Sequence, residues 1–152
     1  MSKARSFLLY WLPVLLWMSV IFSASGDRLS FQHSSRIVAP ILRWLIPGIS
    51  EESVHFIVVV VRKASHVTEF AILAVLVLRC IRRHESSLTY PWAWSHASLT
   101  LLIVVLYAAS DEFHQLFVPS REASLRDVAI DSAGAVLALL LLWILGRFRQ
   151  RR

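Results

Sequence analysis

Cysteine is almost absent from this chain of 152 residues, Cys80 being the only one. That excludes an internal disulfide and a thiolate metal cluster, and it leaves the redox compartment open. Charge is scarce as well: Asp, Glu, Lys and Arg make up 17% of the residues, against about 25% in soluble domains. There is no internal repeat, no low-complexity segment, and no serine or cysteine nucleophile signature. Apolar residues fill the space, at 57% against about 45–50% in soluble domains, with a mean hydropathy of +0.60. This composition excludes disorder, because apolar surface to bury is ample, and it argues against a soluble enzyme. The length suits one domain.

A hydrocarbon core about 30 Å thick takes about 20 mostly apolar residues to cross as a helix. Four stretches qualify, at about residues 6–25, 64–81, 95–115 and 127–146. The first lies in a charge-free run from Ser6 to Gly26, and the second is interrupted by His66 and Glu69. The third runs into Asp111, and between Val128 and Gly146 the fourth carries Asp131 alone. The expected fold is therefore an all-α integral membrane protein with four transmembrane helices. Between the first two, Ile37, Val38, Ile41, Leu42 and Leu45 recur at helical spacing, with Arg36 and Arg43 opposite. That pattern predicts a short external interfacial helix anchored by Trp44, with a packed external cap as the alternative. Pro40 and Pro47 limit it to a few turns, and the apolar run His55–Val61 leads into the second span. Lys3, Arg5 and Ser23-Ala24-Ser25 give the first span the outline of a signal peptide. Its apolar region exceeds the roughly 7–15 residues of such signals and contains Pro13, so it reads as a retained helix.

Topology explains the net charge of +6. With four spans, both termini and the 79–94 loop share one side, which holds nine bases and one acid; the remainder holds seven bases and nine acids. Short cytoplasmic loops collect Lys and Arg, so both termini are expected in the cytoplasm. The basic balance then reflects membrane lipid and not nucleic acid. Tyr10, Trp11, Tyr90, Trp92, Trp94 and Trp143 fall near the inner boundary, as an aromatic belt would.

Intramembrane ionisable residues are costly and usually face a bundle interior or a wet cavity. Here topology sets them at one depth, near the outer ends of three helices. Lys63, His66 and Glu69 occupy the outer turns of the second span, with Glu69 about 7 Å below Ala64 at 1.5 Å per residue. Asp111, Glu112, His114 and Gln115 end the third, and Arg126, Asp127 and Asp131 begin the fourth, while Ser23 and Ser25 close the first. His66 and Glu69 are three apart, Asp111, His114 and Gln115 three and four apart, and Asp127 and Asp131 four apart, so each helix presents one polar stripe. Three inward stripes would make one pocket. Asp127 and Asp131 repel each other and call for a cation nearby: Arg121, Arg126, Lys63, a metal or a ligand. Ser124 with Asp127 has the form of a capping box, and Gly134, with Ala133, Ala135 and Ala138, allows close helix approach.

The stretches Lys63-Ala64-Ser65-His66-Val67-Thr68-Glu69-Phe70, Asp111-Glu112-Phe113-His114-Gln115 through Pro119-Ser120-Arg121, and Arg126-Asp127 through Asp131-Ser132-Ala133-Gly134 resemble the VanZ-like family of bacterial membrane proteins. The resemblance covers essentially the whole chain. Ser120 stands where the family usually has Gly, and Asp131 where Asn is common. The family is named for an accessory protein of resistance to teicoplanin, a lipid-bearing glycopeptide, so the resemblance implies a cell-envelope role in a bacterial cytoplasmic membrane.

Three chemistries fit the cluster. Imidazole and carboxylate from His66, Glu69, Asp111, Glu112 and His114 suit zinc, manganese or iron, although no known ligand signature is matched and the cofactor stays open. Glu69, Asp111 and His114 are the candidates for acid–base catalysis. Lys63, His66, Glu112, Gln115, Arg121, Arg126, Asp127 and Asp131 could instead hold the polar head of an amphiphile in the outer leaflet, where arginine suits phosphate or carboxylate. The plainer alternative is a satisfied salt-bridge network that locks helix ends. The expected partners are membrane lipids and such an amphiphile. Glu69, Asp111 and Arg121 are expected to be needed for function, and Cys80 and His84, on the opposite side, are not.

Overall fold

A computed structural model of the chain describes residues 5, 7–25, 31–83, 91–118 and 124–150, without the side chains of residues 31–34 and 150. The described residues form helices and turns with no strand. We label the helices α1 (Phe7–Ser25), α2 (Phe31–Leu45), α3 (Glu51–Ile81), α4 (Trp94–Gln115) and α5 (Leu125–Gln150). All but α2 are long and apolar enough to cross a membrane, and the chain is a multi-pass membrane protein. The fold is the all-α, four-span architecture expected from the sequence.

α1 opens with a wider π turn over Phe7–Trp11. Pro13 lies just beyond and has no N–H to donate, so the regular i to i−4 ladder cannot pass through it. α3 begins at Glu51, well before residue 64. The apolar run breaks at Arg62-Lys63, yet two charges near an interface do not end a helix. Its start is set by Ser50, whose Oγ accepts the Ser53 N–H at 3.2 Å, with Glu51 and Glu52 in the first turn.

α2 packs on the chain that follows it and leaves a second apolar face exposed. Val38, Ala39 and Leu42 pack on Ile49 of the connecting turn and on Val54 and Val58 at the start of α3, while Ile37, Ile41, Trp44 and Leu45 remain exposed. Pro47-Gly48 turns the chain between the two helices. Gly48 has φ +89°, a conformation that glycine adopts without steric cost. Arg43 closes the hairpin on Glu51 at 2.8 Å.

α3 is the central helix and touches all the others; α4 and α5 pack on it and on each other, and α1 lies against α3 and α4. Phe70, Leu73, Ala74 and Val77 of α3 meet Val104 and Ala108 of α4, Ala135 of α5, and Val14 and Ile21 of α1. Leu15, Leu16, Leu102, Leu106, Leu137 and Leu141 face outward, as lipid-facing positions should. Lipid tails are as apolar as leucine, so helices associate through close packing and interhelical hydrogen bonds. Both are present. A Cβ at Gly134 would sit 2.3 Å from the Val67 carbonyl oxygen, so the α3–α5 crossing requires glycine there. α1 is clasped along its length: Cys80 Sγ donates to Tyr10 O at 2.7 Å, Tyr107 Oη to Met18 O at 2.6 Å, and Trp17 Nε1 to Glu69 O at 2.9 Å.

Candidate functional site

One turn from the Gly134–Val67 contact, the crossing of α3 and α5 opens into a recess of about 90 Å³. It is lined by Val59, Arg62, Lys63, His66, Asp127, Ile130 and Asp131. The α3 residues among these stand at i, i+3, i+4 and i+7, one helical stripe. Lys63 Nζ donates to Asp127 Oδ1 at 2.9 Å, and His66 Nδ1 lies 3.3 Å from Asp131 Oδ1. Lys63 is thus the cation that Asp127 requires, and His66 stands beside Asp131. Arg62 completes the cationic wall and interacts electrostatically with Asp127. Asp131 is 0% exposed, and its Oδ2 has no hydrogen-bond partner among the described residues.

A second polar group lies beside the first, between α4, α1 and the start of α5. Asp111, 1% exposed, accepts Ser25 Oγ at 2.5 Å and Gln115 Nε2 at 3.2 Å, both on Oδ2. Its Oδ1 is buried without a partner among the described residues. Gln115 also donates to Glu112 Oε1 at 3.1 Å. Glu112 Oε2 in turn accepts the Ser124 backbone N–H at 2.8 Å. The expected capping box is therefore only half formed. Ser124 Oγ does accept from the Arg126 N–H at 3.1 Å, but its own N–H goes to Glu112, which leaves Asp127 for Lys63. Fields from Asp111 and Asp127 both bear on Asp131, so the two groups form one electrostatic unit with two structural arms.

The other expected site residues that the structure describes do not line the recess. Glu69 lies one turn further along α3, half-buried, with its carbonyl clasped to Trp17. His114 stacks on Phe22 of α1 with ring centroids 4.1 Å apart, and its Nδ1 is buried without a partner among the described residues. Arg126 is exposed. Arg121, with Pro119 and Ser120, lies outside the described residues. Among those described, no three His, Cys, Asp or Glu side chains come together as a metal site would need. The sequence reading missed Arg62, although its place four residues before His66 puts both on one face. Ser25 had been placed at this depth, but not as the donor to Asp111.

The recess can hold a small polar group. Arg62 and Lys63 supply positive charge, Asp131 offers a buried acceptor, and His66 can donate or accept a proton. No curated protein and no solved structure matches the chain. The VanZ/LLP1 family matches residues 8–146, nearly the whole length, and the chain belongs to that family.

Proposed function

We propose that the protein acts in the bacterial cell envelope by binding the polar head of an amphiphile at the outer end of its bundle. The amphiphile is a lipid headgroup or a lipid-bearing glycopeptide such as teicoplanin. One observation carries this reading: Asp131 is buried with an oxygen unpartnered among the described residues and lines a recess whose opposite wall is Arg62 and Lys63. An unsatisfied buried acceptor costs about 1–3 kcal/mol, a cost that a donor from a bound head group removes. A recess of about 90 Å³ takes one polar group and not a whole glycopeptide, so the bulk of the ligand and its acyl chain would stay outside, in lipid.

On this reading the protein sits in the cytoplasmic membrane with both termini inside, which the distribution of Lys and Arg supports. Expression in a susceptible bacterium tests the role. Growth should be protected against teicoplanin and little protected against a glycopeptide without an acyl chain. Equal protection against both contradicts recognition of the acylated drug at this site.

The pairing of His66 with the buried Asp131 favours a second reading, in which the imidazole, oriented by a carboxylate, moves a proton during a reaction on an envelope lipid. A change in lipid mass after incubation with purified protein, lost in His66→Gln, would favour that reading over binding alone.

A further inference from the structure

We infer that a groove at the opposite, basic end of the bundle seats an acyl chain of an anionic phospholipid whose phosphate pairs with Arg147. The groove lies between α4 and α5 and encloses about 420 Å³, with Trp92, Trp94, Leu101, Leu139 and Trp143 among its lining. Trp94, Ala97, Ser98 and Leu101 line it from α4, at i, i+3, i+4 and i+7. Val136, Leu139, Leu140 and Trp143 line it from α5 with the same spacing.

Seven residues at 1.5 Å each make the groove about 10 Å long. It therefore covers most of one leaflet of a hydrocarbon core about 30 Å thick. Its stripe on α5 continues in register to Arg147, one turn beyond Trp143, whose guanidinium carbon sits 5.6 Å over the Trp143 ring. A cation at the end of an apolar slot, where a chain would leave the hydrocarbon, matches a lipid with a negative head. Arg149, also exposed, lies beyond it. Trp92 adds a second signal: its Nε1 is buried with no acceptor among the described residues, and a lipid ester or phosphate oxygen would supply one. The three tryptophans stand together, Trp92–Trp94 at 5.9 Å and Trp94–Trp143 at 6.0 Å between ring centroids. The geometry differs from the outer recess in charge and chemistry, and no step of the proposed function passes through it.

Tryptophan fluorescence of the full-length protein in detergent tests the assignment, with brominated phosphatidylglycerol and brominated phosphatidylcholine as quenchers. The expected result is saturable quenching with the anionic lipid preferred. Arg147→Gln should reduce that preference by about fivefold, the worth of one basic residue near an anionic surface. Ser98→Phe, at an exposed position of the lining, should abolish saturation while helical content stays that of the wild type. Equal quenching by both lipids, or an unchanged preference in Arg147→Gln, overturns the proposal. So does a dimer that retains no lipid and quenches poorly, because a second copy then covers the groove.

Discussion

Asp131 and His66 form a contact that cannot be removed by halves. Deleting one partner leaves the other's buried polar atoms without a contact, a cost of about 1–3 kcal/mol, whereas replacing both with apolar groups of the same shape is often nearly neutral. His66→Phe alone should therefore lower the unfolding temperature in detergent, and adding Asp131→Leu should restore it. Restored stability without restored protection against teicoplanin is the expected outcome of the pair. Recovery of both would reduce the site to a structural lock. The sequence exposed part of this arrangement. Like charge at Asp127 and Asp131 announced a missing cation, and Lys63 was among those named for it. The pairing of Asp131 with His66 was not legible, because spacing along one helix fixes a face and not the rotation of that face toward a neighbour. Arg62 was not singled out, although it shares a helix face with His66.

At the scale of the helix, polar clasps and one glycine do the work that hydrophobic burial does in water. Gly134→Ala forces a Cβ against the Val67 carbonyl oxygen, and backbone cannot rotate away as a side chain would. The expected loss is about 1–3 kcal/mol, the usual cost of overpacking, read as a lower unfolding temperature together with weaker ligand binding. Ala133→Gly, at an exposed neighbour, serves as the control and should leave binding intact. The four spans were legible because each needs about 20 apolar residues, a signal that survives single charges. The start of α3 was not, since hydropathy marks where lipid ends and a helix can continue past it on a good cap. The single three-sided pocket was also too simple. Asp111 and Glu112 turn toward α1 and the start of α5, where Ser25 Oγ donates to Asp111 and the Ser124 N–H to Glu112.

The whole molecule is polarised. One end gathers carboxylates around a small cationic wall, and the other gathers tryptophan and arginine. Reporter fusions at the C-terminus and at Pro47-Gly48 should fall on opposite sides of the membrane. Fusions on the same side would undo the shared depth of His66, Asp111 and Asp131. The direct measurement of the central claim is a calorimetric titration of the full-length protein in detergent with teicoplanin and with a glycopeptide lacking the acyl chain. Wild type should bind teicoplanin saturably at one site and the acyl-free compound at least tenfold more weakly, a difference of about 1.4 kcal/mol. The folded His66→Phe, Asp131→Leu variant should lose that binding. Teicoplanin binding of equal strength in the double variant, or none in the wild type, would contradict the account.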